Sequence, residues 1–148
     1  MLKQYQCIVG PDLSPYDNMP ITVQKYNIFR NLAVTFFLAK NGIKIIPNVR
    51  LGNDLTLSSL DAYPKHTTIA IGTHGFTWKL SNRYIFERQI EQVIEKLEPT
   101  DILIYGPAQL DVFKRGISRG IKIHQFDSYT MKQNSLDKKR KEAVENER

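Results

Sequence analysis

Thr73 and His74, bracketed by Gly72 and Gly75, end the uninterrupted apolar run Ile69-Ala70-Ile71. A hydroxyl and an imidazole at the rim of a glycine loop suit general acid–base chemistry, because histidine titrates near neutral pH and a carboxylate can fix its tautomer. Asp12, which follows Gly10-Pro11 at the end of another apolar run, and Asp127 are the carboxylates available for that role. Asp12 and His74 are therefore the catalytic candidates. The alternative is that His74 only hydrogen-bonds a backbone carbonyl and pins its loop. His66 and His124 are less favoured, one in a polar loop and one on a mixed strand.

A second set of residues suits binding. Asn48 and Arg50 emerge from the apolar run Ile43-Lys44-Ile45-Ile46. Burying either without partners is costly, so they either hold a loop, through backbone carbonyls or Asp54, or form an anion clamp, since the guanidinium fork fits phosphate and carboxylate. The backbone of Gly72, Thr73 and Gly75 can approach a phosphate closely. Tyr105, before Gly106-Pro107, and Asp127 complete the ligand-binding candidates. The chain contains no Walker lysine motif, GxGxxG fingerprint, GxSxG elbow or metal-ligand cluster, so the common nucleotide and hydrolase classes lose their usual support, no metal site is expected and no particular cofactor is called for.

These candidates are spread over 116 positions, and only the fold can bring them together. Five strands are predicted at Tyr5 to Val9, Ile43 to Arg50, Ile69 to Ile71, Asp101 to Tyr105 and Ile121 to Phe126. Between them lie a helix capped by Asn18 and running to Gly42, a short helix over Thr56 to Ala62, an amphipathic helix capped by Ser81 with Phe86, Ile90, Val93, Ile94 and Leu97 on one face, and a short helix from Ala108 to Lys114. Strands alternating with helices predict an α/β fold with a mainly parallel five-stranded sheet, flanked by helices in a three-layer sandwich, with a half β/α barrel as the alternative. Either puts the strand carboxyl ends, and so the candidates, on one edge. In the first long helix Tyr26, Phe29, Ala33, Phe36 and Phe37 recur at helical spacing and are expected to face the core.

With 148 residues the chain fits one α/β domain over 1–130, followed by a charged tail over 131–148. Its hydrophobic content of 41% is that of a globular protein, and no apolar run reaches the roughly 20 residues a membrane span needs. The amino terminus lacks a signal peptide's apolar core, so the chain is read as cytoplasmic and not membrane-bound. Its single cysteine, Cys7, is expected to be a buried structural thiol. The net charge is +6. Ser135 to Arg148 holds five of the 21 Lys/Arg and four of the 15 Asp/Glu, leaving 16 against 11 in the body. The basic bias belongs to the fold and favours acidic partners. Lys114, Arg115, Arg119 and Lys122 crowd one region, as either a phosphate-facing patch or a solvated helix face.

Gly10-Pro11-Asp12-Leu13-Ser14, Met19-Pro20, Asn31, Gly42 to Arg50, Gly72-Thr73-His74-Gly75 and Ile104-Tyr105-Gly106, in that order, resemble an uncharacterised domain-of-unknown-function family of bacteriophages, plasmids and other mobile elements. The resemblance covers Val9 to Phe126. It implies a phage or mobile-element origin and brings no established reaction, cofactor or catalytic residue. Members are typically longer at the amino end, which implies that part of an extension is absent from this chain. The expected function is binding of a phosphate-bearing ligand, a nucleotide or nucleic acid, at the carboxyl edge of the sheet. The alternative is a host-directed interaction module, such as an inhibitor of a host enzyme or defence system, with Phe76 and Trp78 either an exposed aromatic pair or folded back onto the helix beginning near Ser81.

Overall fold

Alternating apolar residues decide which face of the central strand meets the helices. The computed structural model describes residues 2–73, 80–108 and 111–146. Its strands are β1 (Ile8–Val9), β2 (Ile45–Ile46), β3 (Thr68–Gly72), β4 (Asp101–Tyr105) and β5 (Lys122–Phe126), and all their pairings are parallel. In β3 and β4, Ile69, Ile71, Ile102 and Ile104 are buried against the helices. On the opposite face Ala70 is buried, Leu103 is half-buried and Tyr105 is exposed.

The α/β class holds, but the single five-stranded sheet does not. The strands form a two-stranded sheet, β1-β2, and a three-stranded sheet, β3-β4-β5. Lys44 and Ile46 face β1, whereas Pro47 faces β3, and with no N–H it cannot extend the pairing on that side. One bridge, Asn48 to Ala70, links the segment after β2 to β3. It is made by Val49 N–H donating to the Ala70 carbonyl at 2.8 Å and Ala70 N–H donating to the Pro47 carbonyl at 2.9 Å. The strands therefore follow chain order with no reversal, unlike a doubly wound sandwich, whose order turns back at a switch point.

The helices are α1 (Ile21–Lys40), a 3₁₀ helix (Asp54–Ala62), α2 (Leu80–Leu97), α3 (Lys114–Ser118) and α4 (Tyr129–Asn146), with a further 3₁₀ turn at Leu2–Gln4. α1 packs on the 3₁₀ helix, that helix on α2, and α2 on α3. Their apolar faces close over Ile69, Ile71, Ile102 and Ile104, with Phe86 and Phe113 meeting edge to face at 6.4 Å between ring centroids.

Several expectations are corrected. The aromatic stripe of α1 is exposed, and the buried face carries Gln24, Ile28 and Asn31 instead. At about 100° per residue the two stripes lie on opposite sides of the cylinder, and amides that bond a loop backbone win the inward side. α1 begins after Pro20 without a side-chain cap, so Asn18 does not cap it. Cys7 is exposed, because β1 is a two-residue edge strand. The helix after β4 begins at Lys114, since Val112 and Phe113 are drawn into the core ahead of it. The charged tail, for which a frayed or helical segment is expected, carries α4 and needs no correction. Ser81 lies one residue inside α2. The expectations for His74, Gly75, Phe76 and Trp78 fall outside the described residues.

Candidate functional site

Arg50 leaves the extended segment after β2 and crosses to the end of β1. Its Nε donates to Asp12 Oδ1 at 2.5 Å, its Nη2 donates to Asp12 Oδ2, and its Nη1 donates to the Gly72 carbonyl at 3.1 Å. The pairing is the bidentate fork that guanidinium and carboxylate favour. The Arg50 side chain is 13% exposed and that of Asp12 42%. Gly72 leaves room for this approach, because a Cβ there would stand 3.2 Å from the guanidinium carbon and both terminal nitrogens and the guanidinium would have to shift by a few tenths of an ångström. Ser14 Oγ lies 3.5 Å from Nη2.

The loop bearing Asp12 is held by three amides of α1. Gln24 Nε2 donates to the carbonyls of Asp17 at 3.1 Å and Met19 at 2.7 Å, while Gln24 Oε1 accepts from Asn53 N–H at 2.8 Å. Asn27 donates to the Ser14 carbonyl at 3.1 Å. Asn31 accepts from Leu13 N–H at 2.8 Å and donates to the Leu13 carbonyl at 3.1 Å. Buried backbone groups must find partners, and here helix side chains provide them. Gln24, Asn27 and Asn31 were missed as site-forming residues. The signal available was their spacing of three and four, which places three amides on one helix face.

These elements enclose a cleft of about 460 Å³ at the carboxyl edge, lined by Asp12, Ser14, Arg50, Gly72, Gln89 and Tyr105, with Tyr16 and Tyr129 at its rim. Tyr16, Tyr105 and Tyr129 are each more than half exposed. Gln89, buried, donates to the Gly52 carbonyl at 2.6 Å and fixes the floor. Ser128 Oγ accepts from Met131 N–H at 3.3 Å and caps α4, while the Tyr105 hydroxyl accepts from Tyr129 N–H at 3.0 Å. α4 thus starts at the cleft.

Of the residues singled out in the sequence, Asp12, Arg50, Gly72 and Tyr105 line this cleft together. Asn48 is buried beside it, donating to the Pro11 carbonyl at 3.3 Å, and its own carbonyl accepts from the Tyr63 hydroxyl at 3.3 Å. Burial pushes the Tyr63 phenol up to about 12. Thr73 turns its hydroxyl to the Pro107 carbonyl at 3.0 Å. Asp127 is exposed and does not line the cleft. His74 and Gly75 lie outside the described residues. Asp54 pairs with Arg88 rather than Arg50. In the basic region, Arg115 is neutralised by Glu95 at 2.5 Å and Glu91 at 3.9 Å, leaving Lys114, Arg119 and Lys122 as its exposed cations.

On the face of the β3-β4-β5 sheet away from the helices, His124 Nε2 meets Asp101 Oδ1 at 2.8 Å, and this contact holds the Asp101 carboxyl below its ordinary range. Among the described residues no group of three or more His, Cys, Asp or Glu is placed to hold a metal ion, and no helix is long and apolar enough to cross a membrane.

The chain is 26% identical over 106 residues, 71% of its length, to the Gene 1 protein of Mycobacterium phage L5. It spans about half of that relative, 46% of it. No solved structure matches the chain. Residues 1–127 match the family described as Domain of unknown function (DUF4417). With its α/β fold and its likeness to a phage protein, the chain belongs to the DUF4417 family.

Proposed function

We propose that the cleft at the carboxyl edge binds a nucleotide, free or as part of a nucleic-acid strand. The observation that carries this reading is the meeting of Tyr16, Tyr105 and Tyr129 with the Arg50–Asp12 pair around one cavity of about 460 Å³. A planar base stacks on exposed tyrosine rings in a sequence-tolerant way. The Arg50–Asp12 pair offers a donor and an acceptor side by side, suited to the polar edge of a base or to ribose hydroxyls. Arg50 has five N–H groups, of which Asp12, the Gly72 carbonyl and Ser14 Oγ take four. Its charge is offset by Asp12, so the phosphate draws its attraction from the remaining Arg50 N–H group and from the basic bias of the body.

The proposal is for binding. In the catalytic version His74 is the acid–base group and Asp12 its orienting carboxylate, and Asp12 then has to serve Arg50 as well. The measurement that tests binding is calorimetric titration of the purified chain with a panel of nucleoside mono- and diphosphates and short single-stranded DNA and RNA, repeated with Tyr105→Ala and Arg50→Ala. Stacking on one ring is worth about 1–3 kcal/mol, so Tyr105→Ala is expected to weaken binding about fivefold or more. Affinity unchanged in both variants removes the cleft as the site.

A further inference from the structure

α1 presents a face that the fold leaves uncovered. Tyr26, Phe29, Phe36 and Phe37 are 57 to 65% exposed. At about 200 Å² per ring, they leave on the order of 500 Å² of aromatic surface in water. That is near the upper end of what a monomer shows, and a stable interface buries about 800 Å² on each partner. Ala33, Val34 and the stems of Arg30 and Lys40 extend the same patch.

The order of residues along this face says what fits it. Tyr26, Ala33 and Lys40 repeat every seven positions, with Phe29 and Phe36, and Arg30 and Phe37, interleaved at the same interval. This is the stripe of a helix that packs along another helix. It is also symmetric about Ala33. Phe29 and Phe37 lie four residues on either side, Arg30 and Phe36 three, and Tyr26 and Lys40 seven. When two copies of α1 lie antiparallel with their Ala33 residues opposed, Phe29 of each faces Phe37 of the other, Arg30 faces Phe36, and Lys40 faces Tyr26.

Charge agrees with this register. α1 carries Lys25, Arg30 and Lys40 and no acidic residue, so a random pairing of two copies opposes like charges. In the symmetric register Arg30 and Lys40 each meet an aromatic ring instead. The same cation types already sit over rings within the helix, with Arg30 5.7 Å from the Tyr26 centroid and Lys40 5.8 Å from that of Phe36. Cation–π contacts gain when desolvated. The small Ala33 at the centre lets the helix axes approach.

We infer that the exposed face of α1 is a homodimer interface, formed by α1 packing antiparallel on α1 of a second copy about a two-fold axis at Ala33. An isologous contact of this kind requires a self-complementary patch, which the residue order supplies. It is independent of the nucleotide cleft, because none of the stripe residues lines that cavity.

Sedimentation equilibrium and light scattering of the full chain test it. The expected mass is twice the 17.1 kDa of the single chain. Phe29→Glu/Phe37→Glu is expected to restore the single-chain mass with unchanged far-ultraviolet circular dichroism, since both side chains lie outside the core. In a Cys7→Ser background, Ala33→Cys is expected to form a disulfide-linked dimer on mild oxidation, whereas Leu55→Cys, exposed on the 3₁₀ helix, is not. A single-chain mass across the concentration series overturns the inference, as does a dimer that survives Phe29→Glu/Phe37→Glu or an Ala33→Cys variant that links no better than Leu55→Cys.

Discussion

Arg50 and Asp12, 38 positions apart, meet as fork and carboxylate, with Gly72 close enough that its carbonyl takes the remaining terminal nitrogen at 3.1 Å. The contact ties the end of β1 to the segment after β2 and to the end of β3, so one guanidinium joins both sheets at the edge where the cleft opens. A hydrogen bond to a charged group contributes about 1.5–3 kcal/mol, and the exposure of Asp12 lowers that toward the surface range. Arg50→Ala and Asp12→Ala are each expected to cost about 1–2 kcal/mol in denaturant unfolding, with the double variant losing clearly less than the sum. Strictly additive losses would mean that the pair does not hold the two sheets together.

Gly52 shows a tighter constraint. A Cβ placed there stands 2.0 Å from Gln24 Oε1 and 2.8 Å from the Pro15 carbonyl oxygen. Gln24 cannot retreat without releasing Asn53 N–H and the Asp17 and Met19 carbonyls, and the Pro15 oxygen is backbone. Gly52→Ala is therefore expected to destabilise the fold by roughly 2–4 kcal/mol, in the range of overpacking combined with lost buried hydrogen bonds. A variant that melts within a degree of the parent would show that the loop yields freely.

β3, β4 and α2 were legible because their apolar patterns are strong and local. Ile69-Ala70-Ile71 and Ile102 to Ile104 have only one stable environment, and Phe86, Ile90, Val93, Ile94 and Leu97 keep one helical face. α1 was not legible in the same way. Its largest apolar residues form the more conspicuous stripe, yet the inward face goes to Gln24 and Asn31 through hydrogen bonds to a loop 5 to 18 residues away in sequence. Hydrophobic periodicity registers transfer free energy and is blind to such partners. The split of the sheet escaped for a related reason, since one missing N–H at Pro47 leaves a single bridge to β3 where the side-chain pattern continues. The gathering of Asp12, Arg50, Gly72 and Tyr105 on one edge followed from strand direction alone. The pairing of Arg50 with Asp12 rather than Asp54 depends on α2 bringing Arg88 to Asp54.

Tyr63 gives a pH dependence with a definite sign. Burial raises its phenol from the ordinary 10.0 to about 12, and its hydroxyl donates to the Asn48 carbonyl beneath the cleft. The folded state thus favours the protonated, neutral form. The associated stability is fully present below pH 10.0 and is lost as pH rises toward about 12, a loss on the order of 3 kcal/mol by linkage. Phenolate absorbance is expected to show one of the seven tyrosines ionising late and together with unfolding. Tyr63→Phe is expected to abolish that late step and to cost about 1 kcal/mol near neutral pH for the lost hydrogen bond. A late step that persists in Tyr63→Phe would assign it to another tyrosine.

Asn31 tests whether the amide face of α1 builds the site without touching it. It is buried, it satisfies both backbone groups of Leu13, and it does not line the cleft. Leu13 directly follows Asp12, so the position of the carboxylate that grips Arg50 depends on these two bonds. Asn31→Ala leaves one donor and one acceptor of the part-buried loop without partners, at a cost of about 1–3 kcal/mol for each group. The expected outcome is a loss of roughly 3 kcal/mol in urea unfolding. Asn31→Asp still accepts from Leu13 N–H but sets a buried carboxylate against the Leu13 carbonyl oxygen, and it is expected to cost at least as much as Asn31→Ala. If the loop positions Asp12 as described, each variant also weakens the Arg50–Asp12 coupling relative to the parent. Equal coupling energies in all three would confine Asn31 to stability and leave the placement of Asp12 to Arg50 alone.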